Sequence, residues 1–258
     1  MSIYQHFRRE EHAFVDQAAG WKQQVIDQYS PKLTGFLDPR QQEIAASITG
    51  TGSDVRVSFY GGHPDTERKR ALFYPDYYVP EPADYEVVLF EIDYPSKFVT
   101  IGHPQVLGAL MNIGLKREKF GDIIQNGERI QFVCAADIAP FAEMNLTKVG
   151  KASVKLSEKP AEEMAVPEVK WKKVTFTVSS MRLDVVAAEL FNLSRAKSKA
   201  LIEGEMAKVN WKVAKDPSMQ LQAGDMISLR GKGRARLFEE EGRTKKDKIK
   251  LLAGYPSE

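Results

Sequence analysis

The sequence predicts a multi-domain α+β chain: an N-terminal α/β domain over residues 1–76, an α+β middle domain over 77–157, a linker at 158–170 and a basic C-terminal domain over 171–258. Three observations carry this. Stretches of helical period alternate with short β-prone runs. Proline-rich polar segments at 75–83 and 157–167 interrupt the pattern. Positive charge is segregated: from Lys173 onward there are 17 lysines and arginines against 11 acids, a net of +6, and before it 20 against 24, a net of −4. Segregation of this kind is the electrostatic footprint of a polyanion binder. With 258 residues, 43% of them hydrophobic, the chain can bury more than one core.

Taken in order, Phe7, Phe14, Ala18, Trp21 and Val25 recur at helical spacing and predict a first helix over 3–29. Asp38-Pro39-Arg40-Gln41 reads as a capping box with proline at the first helical position. The helix it opens should turn Ile44, Ala45 and Ile48 inward and stop at Gly50. Residues 55–60 alternate as a strand, and Gly61-Gly62-His63-Pro64 is a turn that does not satisfy the Walker pattern. Arg68, Lys69 and Arg70 form a basic bend into a second strand over 71–74, and are expected as secondary RNA contacts. In the middle domain, 86–92 and 98–101 read as strands and 104–112 as a helix ended by Gly114. A hairpin across Asn126-Gly127 joins Ile123-Ile124 to 129–134; a helix over 136–145 and a strand over 153–156 complete the set. Lys116, Arg117 and Lys119 follow a helix end, where the helix dipole alone accounts for cations; a secondary RNA contact is the other open reading. The order suggests a split β-α-β arrangement, ferredoxin-like or RNA-recognition-like in outline. Gly127-Glu128-Arg129-Ile130 does not match the aromatic RNA-recognition signature.

The basic domain is the most informative. Ser179 or Ser180 can cap a helix burying Leu183, Val186, Ala187 and Leu190. Ser194 can cap a second helix with Ala196, Ala200 and Leu201 inward and Gly204 at its end. The connection is short, so the two should pack as an αα-hairpin on a small β-sheet built from β-prone runs at 208–213 and 226–230, with Gly224-Asp225 as a turn. Arg195 and Lys199 share one helix face, with Lys197 on its flank. Arg182, in a first turn where a cation is unfavourable, points to a phosphate partner or an ion pair with Asp184. Arg230, Lys232, Arg234 and Arg236 line a glycine-flexed strand exit suited to a phosphate backbone. The late cations Arg243, Lys245, Lys246, Lys248 and Lys250 read equally as a solvated tail.

The order Arg182-Leu183-Asp184, Ser194-Arg195, Leu201-Ile202, Val209-Asn210, Gly224-Asp225-x-Ile227 and Arg230-Gly-Lys-Gly-Arg234 resembles the S-four RNA-binding domain. The resemblance covers about sixty residues (core 180–236); Gly204 comes one residue early, and Trp211 stands where a small turn residue is usual. Phe36-Leu-Asp-Pro-Arg40, Glu67-Arg-Lys-Arg-Ala71, Asp76-Tyr-Tyr78 and Ile113 to Asp122 extend it, and nearly the whole chain is similar to the YlmH family of bacterial S-four proteins. The resemblance implies an RNA-binding factor on the large ribosomal subunit carrying stalled peptidyl-tRNA. It implies contacts with rRNA and tRNA and a role in C-terminal tailing during ribosome-associated quality control. The family also lies near cell-division genes. The site expected from motif and charge together is Arg182, Asp184, Ser194, Arg195, Lys197, Lys199, Arg230, Lys232, Arg234 and Arg236.

Catalytic patterns are thin. Arg182-Leu183-Asp184 echoes the triplet of pseudouridine synthases, but it opens a helix inside the RNA-binding domain, so Asp184 reads as an orienting partner for Arg182. No two of His6, His12, His63 and His103 stand four apart, as a helical metal site requires; His6 with Glu10 and His12 with Asp16 read as surface pairs. Cys134, the single cysteine, sits in an apolar run and excludes an internal disulfide or a cysteine-built metal cluster. No enzyme activity, cofactor or metal is expected. With no apolar run of about eighteen residues and no signal-peptide core in residues 1–11, the expectation is a soluble, cytoplasmic monomer.

Overall fold

A computed structural model describes residues 4, 7, 9–50, 54–165 and 171–256. The expected helix start at Ile3, the His6–Glu10 pair and the last linker residues lie outside that set. The chain divides into two compact units, Met1–Glu168 and Val169–Glu258. The segments expected as N-terminal and middle domains both lie in the first unit.

In that unit α1 (His12–Gln28) packs on α2 (Pro39–Thr49) and on a three-stranded sheet of order β1-β3-β2. The sheet comprises β1 (Lys32–Leu37), β2 (Val55–Tyr60) and β3 (Lys69–Pro75). Asp38 caps α2: its carboxylate accepts from Gln41 N at 2.9 Å, and Gln41 Oε1 accepts from Asp38 N at 2.9 Å. Val25, Leu37, Ala45, Val55, Ala71 and Phe73 are the buried centre. Strand β1 was not anticipated, because Lys32-Leu-Thr-Gly-Phe-Leu37 is short and broken by a glycine.

Next come β4 (Val87–Asp93), α3 (His103–Asn112), β5 (Phe120–Asn126), β6 (Arg129–Ala135), α4 (Ala139–Asn145), a small hairpin of β7 (Lys148–Val149) and β8 (Ala152–Ser153), and β9 (Lys155–Lys159). The sheet order β5-β6-β4-β9, antiparallel throughout, is the ferredoxin-like arrangement. Residues 98–101, expected as a strand, instead follow a turn leading into α3: Phe98 N donates to Pro95 O, and the ring is 87% exposed. Strand β6 is buried on both faces. Phe132 stacks near Phe90 and Phe120 on one side. On the other, Gln131 accepts from Ala165 N and donates to Glu163 O, and a Cβ on Gly62 would meet Met164 and Val133. The face that stacks bases in RNA-recognition domains is thus covered here by residues 161–165 and the first sheet's loops.

The second unit is a six-stranded antiparallel sheet, order β10-β15-β14-β13-β11-β12. It contains β10 (Trp171–Val178), β11 (Ala207–Val209), β12 (Lys212–Ala214), β13 (Met226–Leu229), β14 (Gly233–Arg243) and β15 (Ile249–Pro256). Helices α5 (Leu183–Leu190) and α6 (Arg195–Glu203) pack against one face of it through Leu183, Val186, Leu190 and Ile202. Three expectations change. The run 208–213 is a hairpin rather than one strand, turning at Asn210 (φ 49°) and Trp211 (φ 63°); two left-handed residues make the primed turn that matches strand twist. In α6 it is Ser198 and Ile202 that face inward, whereas Ala196 and Ala200 are exposed. The segment 237–256 is no tail: it continues β14 and returns as β15, with Arg243 paired to Asp247 and Lys250 to Glu241.

Candidate nucleic-acid interface

Helix α5 begins without a serine cap. Arg182 itself occupies the cap position in extended conformation (φ −66°, ψ 141°). Ser179 and Ser180 stand too early, because the loop after β12 supplies the acceptors for the helix's first free amides: Leu183 N donates to Met219 O at 2.9 Å and Asp184 N to Pro217 O at 3.0 Å. This docking leaves Asp184 only 2% exposed. Such a carboxylate needs partners, and it finds two arginines. Arg182 grips it with one edge of its guanidinium, Nε to Oδ1 at 2.9 Å and Nη2 to Oδ2 at 3.1 Å, and Arg195 Nε reaches Oδ2 at 3.1 Å from the first turn of α6. Burial opposes ionisation of Asp184, but the hydrogen bonds from Arg182 and Arg195 outweigh it and hold the carboxyl below its usual pKa. The same hydrogen bond raises the Arg182 pKa further. The arginine side chains themselves stay 35% and 61% exposed. One buried anion thus aims two open guanidinium groups outward from an αα-hairpin.

Ser194 caps α6, accepting from Lys197 N at 3.3 Å. Lys197 and Lys199 are exposed on the same helix, Lys199 at 3.7 Å from Glu203. The remaining cations of the expected set lie elsewhere. Arg230 and Lys232 stand in the exposed turn between β13 and β14, where Gly231 (φ 77°) and Gly233 (φ 98°) take left-handed conformations that glycine adopts readily. Arg234 and Arg236 flank Ala235, which is buried on the helix side, so by strand alternation they stand on the opposite face of the sheet. The ten residues therefore divide between the helical face, one turn and the sheet's outer face. Lys173, Trp171 and Phe238 accompany Arg236 on that outer face; they escaped sequence reasoning because β10 and the far half of β14 were not read as strands.

The secondary set resolves differently. Arg70, expected to face RNA, is 7% exposed and donates to Thr34 O (2.8 Å), Tyr85 O (2.9 Å) and Glu86 O (2.9 Å). Arg68 donates to Phe36 O at 2.8 Å and Phe120 O at 3.3 Å, while Arg117 donates to Phe120 O at 2.7 Å and Gly121 O at 3.2 Å. Burial, then the nearby Arg68 charge, pushes the Arg117 pKa down to about 10. Arg68 and Arg70 thus tie strand β1 to the elements of the second sheet, while Arg117 braces the start of β5. The bend carries no sequence mark of this; only the carbonyls around it reveal the role. Lys69 donates to Pro64 O at 2.7 Å, Lys119 is paired with Asp137, and Lys116 is exposed.

Burial pushes the Cys134 thiol up to about 12, so it remains protonated at neutral pH. Among the described residues no group of three or more His, Cys, Asp or Glu could hold a metal ion, and no helix is long and apolar enough to cross a membrane.

Comparison with known proteins gives the family. Residues 10–78 match the family described as "YlmH, N-terminal", residues 80–163 "Putative RNA-binding domain in YlmH" and residues 181–227 "S4 domain". The chain is 48% identical over 249 residues to "Ribosome-associated protein quality control protein P2" of Bacillus subtilis (strain 168), covering 96% of both chains. A solved structure, "Cell division protein ylmH from Streptococcus pneumoniae", is 36% identical with a TM-score of 0.55, and the match covers 64% of this chain and 100% of that one. With matched segments running from residue 10 to residue 227 and a relative this similar over almost its whole length, the chain belongs to the YlmH family of S4-domain proteins.

Proposed function

We propose that this protein is an RNA-binding factor of the ribosome. It engages structured rRNA and tRNA on the large subunit and assists C-terminal tailing of stalled nascent chains in ribosome-associated quality control. The observation that carries the reading is the Arg182–Asp184–Arg195 cluster, in which a buried carboxylate orients two exposed guanidinium forks. A planar fork held in place suits bidentate contact with phosphate. Lys197 and Lys199 extend the grip along α6, and Arg230 and Lys232 extend it from the β13–β14 turn. Recognition rests on the shape and backbone of an RNA hairpin more than on base sequence. The name of the Bacillus relative supports the process assigned here. Asp184 acts as an orienting anion; held by two arginines at 2% exposure, it is poorly placed to attack a base.

The test is sedimentation of the tagged full chain through a sucrose gradient at low salt, beside Arg182→Ala with Arg195→Ala. Migration with large subunits in the parent and its loss in the double variant are expected. Migration that survives both substitutions, or that survives nuclease digestion of the ribosomes, would overturn the assignment in favour of a protein scaffold.

A further inference from the structure

The outer face of the C-terminal sheet carries a second cluster that the helical site does not use. Residues Val178 of β10, Leu251 and Ala253 of β15, and Ala235 and Leu237 of β14 turn into the core. Their neighbours Lys173, Gly254 and Arg236 stand on the other side. Register places these three in one row, Lys173 opposite Gly254 and Gly254 opposite Arg236. The row has a gap at its centre, since Gly254 has no side chain, and the Phe238 ring fills it from the bulge between Leu237 and Glu239. A Cβ at Gly254 would lie 2.7 Å from that ring and 3.1 Å from Trp171 Cβ. Trp171 meets Phe238 edge-on, with centroids 5.6 Å apart at 86°. Lys173 Nζ lies 5.3 Å and Arg236 Cζ 5.9 Å from the Phe238 centroid.

Neither Lys173 nor Arg236 has an ion-pair partner among the described residues, and both are exposed. The acid nearest in register on this face is Glu239, opposite Leu252, which bounds the cluster on one side. Two unpaired cations converging on one aromatic ring repel each other, and an anion between them relieves that repulsion. The ring pair beneath them offers a stacking surface, which is sequence-tolerant because every base has a π-face. An acidic peptide would satisfy the cations alone, whereas a nucleotide satisfies both features at its own spacing.

We propose that this face, built from β10, β15 and β14, binds an unpaired ribonucleotide, its phosphate held between Lys173 and Arg236 and its base against the Trp171–Phe238 pair. The proposal rests on the RNA-binding reading and adds a single-strand contact to the hairpin grip of α5 and α6.

The test uses the full chain and two labelled RNAs: a blunt hairpin, and the same hairpin with a single-stranded extension of about six nucleotides. Binding is read by fluorescence anisotropy. Phe238→Leu is expected to weaken the extended hairpin at least roughly fivefold, the low end for one stacked base, and Lys173→Gln to weaken it and flatten its salt slope by about 0.7, while the blunt hairpin is bound as by the parent. Lys173 is exposed, so its variant reports even where Phe238→Leu disturbs folding. Parental affinity of Lys173→Gln for the extended hairpin, or equal weakening of both RNAs, would overturn the proposal. Arg182→Gln with Arg195→Gln should weaken both RNAs; if it weakens neither while Lys173→Gln still weakens the extended one, the helical-face reading fails and the outer-face site stands.

Discussion

Replacing Arg195 separates the proposed phosphate-gripping role of the helical cluster from its structural role. Arg195 makes one contact with Asp184, through Nε, and is 61% exposed, so four of its five donors remain for a ligand. Arg195→Gln leaves the two-pronged Arg182–Asp184 pair in place, at 2.9 and 3.1 Å, and with it the start of α5. The domain should therefore stay folded and lose about one phosphate contact. Each neutralised phosphate contributes roughly 0.7–0.9 to the slope of log affinity against log salt. Losing one contact should flatten the slope by that amount, so that between about 50 and 200 mM salt the variant loses roughly threefold less affinity than the parent. Arg182→Gln combined with Asp184→Asn avoids stranding a buried carboxylate and should flatten the slope by a similar step. The measurement is anisotropy of a labelled RNA hairpin across a potassium chloride series, with circular dichroism confirming the fold. Two variants with the parental slope would refute the claim that these guanidinium groups meet phosphate.

Three further outcomes follow from the same contacts. Asp122 accepts from Glu67 N at 2.6 Å and Arg68 N at 3.0 Å; Asp122→Ala strands both donors and should cost about 2–4 kcal/mol in urea unfolding of the full chain. Asp184 has a folded pKa below its unfolded value, so its contribution is complete above the unfolded carboxylate pKa of about 3.9 and is lost as pH falls through the folded value. The stability difference between the parent and Asp184→Asn should accordingly be constant near neutral pH and shrink below about pH 4, as followed by thermal melts across a pH series. Gly61→Ala would bring a Cβ to 2.4 Å from Arg68 O and 2.5 Å from Thr66 Oγ1, and should cost about 1–3 kcal/mol by chemical denaturation.

What was legible in the sequence had local causes. The α2 capping box, the Asn126-Gly127 hairpin, the α5 stripe and the Ser194 cap are decided by residues within a turn of one another, and each stands where its pattern placed it. Elements that needed distant partners were missed. Strand β1 exists because β3 pairs with it, β10 because β15 does, and β15 lies between β10 and β14. The start of α5 is set by Met219 and Pro217 rather than by the serines beside it. The pairing of Arg182 with Asp184 could be read from two residues of separation, but the third member, Arg195, could be assigned only once the hairpin had closed. The run 98–101 was misread because its apolar residues precede a helix, and nothing local says that Phe98 stays in solvent.

The contrast among the arginines explains why the RNA site is assigned to one unit's helices rather than to the basic bend of the other. In the first unit, Arg68, Arg70 and Arg117 donate to backbone carbonyls of neighbouring elements, and burial lowers the pKa of each. A guanidinium spent on several carbonyls has no fork left for a ligand, and its removal would strand acceptors in the interior. In the C-terminal unit the arrangement is reversed: the carboxylate is buried and the cations are open. Leaving the arginines partly in water spares their desolvation cost and keeps their remaining donors free for a ligand. A buried anion with outward-facing guanidinium groups does hold two flexible side chains near one geometry before a ligand arrives, which reduces the ordering cost of binding. That asymmetry of burial, more than the number of positive charges, supports the proposal that the helical hairpin is the recognition surface.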